Sequence, residues 1–126
     1  MKIYYYKKNN TCPVKDYLKK FDNELLADID GKIKLIAENG TMSPPLAKPL
    51  KEYPFSEITK PYKKIAIRLL CAEIKKELIL LHAFDKPRYY KANDKKINSQ
   101  ITKNYNIALN YYNEIKNYEN YKEEYK

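Results

Sequence analysis

The sequence predicts a small α+β domain, and three observations lead to that prediction. Residues 65–86 hold two apolar runs, IAIRLLCA and ELILLHAF, each of strand length and rich in branched aliphatic side chains. Apolar residues recur at helical spacing both before and after this block. The N-terminal run KIYYYK is typical of a strand. With 126 residues, the chain is expected to form one domain over residues 1–126.

The first forty residues predict a strand followed by a helical hairpin. The strand spans Lys2–Lys7. Pro13 suits the first turn of a short helix, and Asp22 or Asn23 can cap a second helix that stops at Asn39-Gly40. Each helix carries one apolar stripe, made of Val14, Tyr17, Leu18 and Phe21 in the first and of Leu25, Leu26, Ile29, Ile33 and Ile36 in the second.

The remaining residues predict a three-stranded antiparallel meander and a C-terminal helix. A Pro-rich loop over residues 41–49 precedes a strand at Tyr53–Thr59, and the two apolar runs supply the other strands. The N-terminal strand must pair with this meander, because an isolated strand is unstable. Asp94 can cap a long helix, and residues 119–126 lack an apolar face and are expected to fray. The stripe of this helix is Ile97, Ile101, Tyr105, Ala108, Tyr112 and Ile115.

A net charge of +9 is the strongest feature of the composition. The excess of lysine and arginine lies in residues 1–93, so it belongs to the folded body rather than to a C-terminal tail. A basic body suits a polyanion such as RNA, DNA or the ribosome surface, or an acidic protein partner. The alternative is a Lys-rich solvated surface that reflects a biased composition.

Several classes of protein do not fit the sequence. The chain has no run of about 18 apolar residues, so we expect no transmembrane helix and no membrane partner. Its N-terminus does not resemble a secretory signal. Cys12 and Cys71 are interpreted as small core residues in a reducing cytoplasm, and with a single histidine they are too few for a structural metal site. We therefore expect a cytoplasmic protein without a metal or a cofactor.

Three polar side chains, those of Arg68, His82 and Lys86, interrupt or end the two apolar runs. An unpaired charge cannot be buried in a core, so Arg68 must find a partner or point outwards. A structural salt bridge from Arg68 to Glu57 is the simplest interpretation. His82 can equally be a satisfied, half-buried strand residue, and Lys86 an exposed strand end. By strand alternation, His82 is expected to share a sheet face with Leu80 and Phe84.

Six short motifs across most of the chain resemble toxins of the RelE/HigB superfamily, especially the phage-derived HigB-like branch. The strand end LLHAFDK at residues 80–86 is the most specific match, and Arg68-Leu69-Leu70 is similar to the Arg-aliphatic-aliphatic strand of these toxins. The opening helix PVKDYL, the stop ENG, the segment KPL and the strand FSEI are similar to family segments at residues 13–18, 38–40, 48–50 and 55–58.

The resemblance implies a microbial-RNase-like α+β fold and a type II toxin–antitoxin role. Such toxins are ribosome-dependent, metal-independent mRNA endonucleases, and a cognate antitoxin, often a helix-turn-helix protein, neutralises them. The implied partners are therefore an antitoxin, the ribosome and mRNA. By resemblance, Arg68 contacts the scissile phosphate, and His82 and Lys86 line the same catalytic surface. These residue types suit phosphate binding and proton transfer.

The loop that follows the last strand has the composition of an RNA-binding segment. Arg88 and Lys91 flank Tyr89-Tyr90, so cations that can hold a phosphate backbone stand beside rings that can stack bases. Arg88, Tyr90 and Lys91 are the RNA-binding candidates here, and Lys48 is a fourth. For the Tyr89-Tyr90 pair, packing against the protein is the simpler interpretation, because the chain contains 14 tyrosines. Lys51, Lys63 and Lys64 are interpreted as solvated charges.

Two positions differ from the family pattern. Thr59 stands where an Arg is usual after Glu57-Ile58, and Pro87 follows Lys86 where a second basic residue is usual. The loss of a cation at position 59 favours one alternative function, a catalytically silent basic binding module of the same fold. A topoisomerase-poisoning relative is another alternative, although the HigB-like strand end argues against it. The catalytic reading requires Arg68, His82 and Lys86 to converge on one surface.

Overall fold

The computed structural model describes residues 1–40, 44–118 and 120–125, and shows a six-stranded, mostly antiparallel sheet with three helices. The part of the predicted Pro-rich loop at residues 41–43 lies outside the described residues. The strands are β1 (Lys2–Tyr6), β2 (Lys48–Pro49), β3 (Ser56–Tyr62), β4 (Ile65–Ile74), β5 (Glu77–Pro87) and β6 (Lys122–Glu124). The helices are α1 (Pro13–Leu18), α2 (Asn23–Asn39) and α3 (Lys95–Asn117).

The strands lie in the order β2-β3-β4-β5-β1-β6. β3, β4 and β5 form the predicted antiparallel meander, and β1 pairs in parallel with β5. The expected pairing of the N-terminal strand with the later sheet is therefore confirmed. The α+β class is confirmed as well.

Each face of the sheet is covered by helices. On one face, α1 and α2 pack their stripes onto Ile67, Leu69 and Leu80. On the other, α3 packs Ala108 and Ile115 against strand residues. We call this second side the α3 face. Its strand residues include Leu70, Ala72, Ile79, Leu81 and Phe84.

The predicted helix caps are confirmed. The Asp22 carboxylate accepts a hydrogen bond of 2.9 Å from the Leu25 N–H at the start of α2. Asp94 does the same for the N–H of Ile97 at the start of α3, at 3.1 Å. α2 ends at Gly40, whose φ of 70° lies in the left-handed region that glycine adopts without steric cost.

Three predictions about the strands were wrong. The strand predicted at Tyr53–Thr59 begins at Ser56, because Pro54 cannot donate to a ladder. Lys48–Pro49, predicted as loop, pairs with β3 as the short edge strand β2. The tail over residues 119–126 was expected to fray, yet Lys122–Glu124 pairs with β1; positions 119 and 126 lie outside the described residues. A two- or three-residue strand is too short to show a period in the sequence.

Cys12 and Cys71 are buried, as expected of core residues. Over residues 1–40, 44–118 and 120–125, none of the helices combines the length and the apolar character needed to cross a membrane.

The β4–β5 turn is built on Lys75 and Lys76, whose φ values are 51° and 64°. A two-residue hairpin loop with both φ values positive favours Asn-Gly, because other side chains are strained there. We therefore expect the double variant Lys75→Asn/Lys76→Gly to raise the free energy of unfolding by about 1–2 kcal/mol. Urea denaturation measures the change. Lys19→Asn, at a right-handed surface position, serves as the control. A double variant no more stable than the wild type would contradict the prediction.

Candidate functional site

Arg68, His82 and Lys86 lie on the same face of the sheet. In the β4–β5 ladder Arg68 stands opposite Phe84, and Lys86 stands opposite Ala66. Directly paired residues of antiparallel strands point to the same side, so Arg68 and Lys86 share the α3 face with Phe84. His82 is paired with Leu70 and joins them.

A β-bulge sets the orientation of His82. The register shifts between Leu70 and Cys71, which are paired with His82 and Leu80. Leu81 is the extra residue, so Leu81 and His82 both point to the α3 face. The expectation that Leu80 shares this face is wrong, because Leu80 packs on the side of α1 and α2. Strict alternation fails at the bulge.

The Arg68 guanidinium is held by a buried carboxylate. Its Nη1 donates to Glu57, of which only 3% is exposed, and to Thr59 Oγ1 at 2.9 Å. The Tyr105 hydroxyl of α3 donates to the other oxygen of Glu57 at 2.8 Å. Burial, and then the Glu57 carboxylate, raise the pKa of Tyr105 well above its usual value, so the phenol stays protonated as a donor. The salt bridge that the sequence suggested is thus present.

Thr59 has a defined role in this arrangement. It is paired directly with Arg68 across β3 and β4, and its hydroxyl is an acceptor for Nη1. The position that departs from the family pattern therefore orients the candidate catalytic guanidinium. An arginine at position 59 would place a second positive charge beside Arg68.

His82 is covered by α3. Its Nε2 lies 2.7 Å from Asn104 Oδ1, and the Asn104 amide nitrogen donates to Gln100 O at 2.8 Å, which turns Oδ1 towards the ring. This assigns the proton of a neutral imidazole to Nε2. Nδ1 is buried without a hydrogen-bond partner. Burial lowers the pKa of His82, and the Asn104 hydrogen bond partly offsets this, so the ring is neutral at neutral pH.

Lys86 borders an open groove between the end of β5 and α3. The groove has a volume of about 350 Å³ and also reaches Phe84 and Asn104. Lys86 Nζ lies 4.9 Å from the centre of the Tyr90 ring. The groove thus runs from the partly exposed Lys86 to the amide that covers His82. Arg68 is on the same face but does not line it.

The four predicted RNA-binding residues fall in two places. Arg88, Tyr90 and Lys91 follow β5, close to Lys86, with Arg88 and Lys91 exposed and Tyr90 half-buried. Lys48 is exposed on edge strand β2, where it is paired with Glu57. The structure brings the first three together and leaves Lys48 at the far edge of the sheet.

Sequence reasoning missed two residues that contact the candidate site. Tyr105 was assigned to the apolar stripe of α3, and nothing in the pattern indicated that its hydroxyl reaches Glu57. Asn104 is next to that stripe in the sequence, and no sequence pattern indicates that its side chain contacts His82. Both contacts depend on how α3 lies on the sheet, which helical periodicity does not specify.

Comparison with protein-family models, with curated proteins and with solved structures gave no match to this chain. The likeness to RelE/HigB toxins therefore depends on the motifs quoted above. Within the described ranges, no group of three or more His, Cys, Asp or Glu side chains is arranged to hold a metal ion.

Proposed function

We propose that this chain is the toxin of a type II toxin–antitoxin system and cleaves mRNA on the ribosome. The observation that carries the proposal is the common orientation of Arg68, His82 and Lys86 on the α3 face. The cognate antitoxin and the cytoplasmic location belong to the same proposal. The basic body, with its charge of +9, supports a polyanionic substrate.

The proposed reaction uses the 2′-OH of the RNA as nucleophile. The Arg68 fork stabilises the charge that grows on the phosphorane oxygens, and Thr59 and Glu57 fix the guanidinium in place. Lys86 adds positive charge at the groove. The 2′ oxygen bonds to phosphorus as the P–O5′ bond breaks, which leaves a 2′,3′-cyclic phosphate and a 5′-hydroxyl end. His82 is the candidate that accepts the 2′-OH proton; in that role Asn104 must release Nε2 and the ring proton must move to Nδ1. The departing 5′ oxygen takes a proton from the resulting imidazolium or from water.

A second candidate function is a catalytically silent binding module. Two observations favour it. The charge of Arg68 is neutralised by buried Glu57. Neither ring nitrogen of His82 is accessible to a substrate, because Nδ1 is buried and Nε2 is hydrogen-bonded to Asn104. A protein of this kind inhibits a partner by occupying its surface and leaves RNA intact.

Induced expression in a bacterial host separates these functions. We expect the wild-type protein to arrest growth and to create new 5′ ends within translated transcripts. Arg68→Lys keeps the charge that Glu57 requires but loses the planar fork, so we expect new 5′ ends to fall about 100-fold. Transcript 5′-end mapping measures this loss.

Lys19→Ala, a charge-removing change at an exposed site, is the matched control and should behave as wild type. Thermal unfolding of purified Arg68→Lys checks that the fold is retained. Growth arrest without new 5′ ends would support the silent module. No arrest and intact transcripts would refute the proposed nuclease function, and full cleavage by Arg68→Lys would remove Arg68 from the mechanism.

A further inference from the structure

A basic and aromatic surface lies at one end of the sheet and shares only Lys86 with the candidate catalytic residues. It combines the β3–β4 turn with the end of β5 and the residues that follow, because Ile65 and Pro87 are paired across the two strands. Segments 60–65 and 86–91 carry six cationic side chains and no acidic ones. Among the described residues, Lys60 is the only one of the six that forms a salt bridge, with Asp28.

Backbone contacts hold the two segments together. The Arg88 N–H donates to Lys64 O at 3.0 Å, and its guanidinium donates to Lys63 O at 3.4 Å. Lys63 has a φ of 57°, so its backbone in the β3–β4 turn adopts the left-handed conformation, which is strained for a lysine. Lys63, Lys64 and Arg88 are all exposed. The side chains of Lys63, Lys64 and Arg88 therefore lie side by side, on a backbone that these hydrogen bonds hold in place.

Each segment pairs its cations with aromatic rings. Lys63 Nζ lies 5.1 Å from the centre of the Tyr62 ring, and Arg88 Cζ lies 5.6 Å from that of Tyr89. Lys86 and Tyr90 form a third pair. Tyr89 is 84% exposed, so its ring is open to a ligand apart from the contact with Arg88. An open ring beside cations is the combination that binds an unstacked base and its phosphate.

We propose that this surface binds single-stranded RNA, with an unpaired base stacked on Tyr89 and the backbone held by Lys63, Lys64 and Arg88. The choice of RNA rests on the proposed function, of which the surface would be the entry track. Lys86 and Tyr90 connect it to the groove beneath α3. Lys63 and Lys64, read from the sequence as solvated charges, thereby gain a role. A duplex, whose bases are stacked internally, cannot use Tyr89.

The test is equilibrium binding of the full chain to a fluorescent 2′-O-methyl oligoadenosine of about 12 nucleotides. This probe lacks the 2′-OH nucleophile, so binding is measured without cleavage. We expect Tyr89→Ala to weaken binding about tenfold and Tyr89→Phe to bind as wild type. Lys63→Ala/Lys64→Ala should weaken binding and reduce the slope of log affinity against log salt by about 1.4.

Two matched controls should leave binding unchanged. Tyr118→Ala removes another exposed tyrosine, and Lys34→Ala removes an exposed lysine of α2 that lies beside Met1 and Ile3, at the other end of the sheet. Unchanged affinity in Tyr89→Ala would overturn the proposal, as would a duplex that binds as tightly as the single strand. Tyr89-dependent binding to phosphatidylserine vesicles but not to the oligonucleotide would assign the surface to a membrane instead. If the protein binds the oligonucleotide through Tyr89 but cleaves no transcript, the proposed nuclease function is refuted and the RNA-binding role of this surface is retained.

Discussion

Glu57→Ala is expected to lower the free energy of unfolding by about 3–5 kcal/mol. The carboxylate is 3% exposed and accepts hydrogen bonds from Arg68 and from the Tyr105 hydroxyl. Its removal leaves the Arg68 side chain, only 19% exposed, without its counter-charge, and the Tyr105 phenol without its acceptor. The cost is therefore that of an unpaired buried charge rather than of a lost surface ion pair. Urea denaturation measures it.

A double-mutant cycle identifies the cause. If the unpaired charge dominates, Glu57→Leu and Arg68→Leu should each be strongly destabilising, and the double variant should be more stable than either single one. Tyr105→Phe, which removes only the hydroxyl, should cost about 1–3 kcal/mol. Additive losses in the double variant would contradict the prediction, because they would mean that Glu57 and Arg68 act independently.

Ending the chain at Tyr118 is expected to cost about 3 kcal/mol or more. The deletion removes β6, which pairs with β1, together with two half-buried tyrosines. Tyr121 contacts buried Tyr6, with ring centres 6.3 Å apart. Tyr125 contacts buried Tyr5 at 5.2 Å and donates its hydroxyl proton to Asp30. The loss of β6 exposes both inner rings and leaves β1 as an open edge.

Denaturation of the shortened chain, compared with a chain ending at Tyr125, measures this cost. A frayed tail would contribute nothing, so equal stability of the two chains would contradict the pairing of β6 with β1. Tyr125→Phe, which keeps the ring and removes its hydroxyl, should fall between them. An intermediate value would separate the contribution of the Asp30 contact from that of the strand.

The sequence was sufficient for elements whose signals are local. Asp22 and Asp94 were recognised as caps because a carboxylate before an apolar stripe satisfies a free helical N–H. β4 and β5 were recognised because a buried strand is a continuous apolar run. The sequence could not show that β6 completes the sheet, since three polar residues pair there through the backbone and carry no apolar period.

The candidate site depended on long-range geometry. Arg68 and His82 were found as polar breaks in apolar strands, but their shared face required the bulge at Leu81, which no local signal marks. The contacts of Tyr105 with Glu57 and of Asn104 with His82 depend on the position of α3 on the sheet. The residues of the candidate site could therefore be predicted from the sequence. The contacts by which α3 restrains His82 and Glu57 could not.

The position of β1 has a consequence for biosynthesis. Residues 2–6 are made well before their neighbours in the sheet, which are residues 77–80 and 122–124. A nascent chain must therefore keep a tyrosine-rich, β-prone segment unpaired until those residues have been made, and closing such distant pairs is slow. During that interval the segment can pair with other strands or with other chains. A chaperone or early partner that shields the first strand would protect newly made protein, whereas the finished sheet has no need of one.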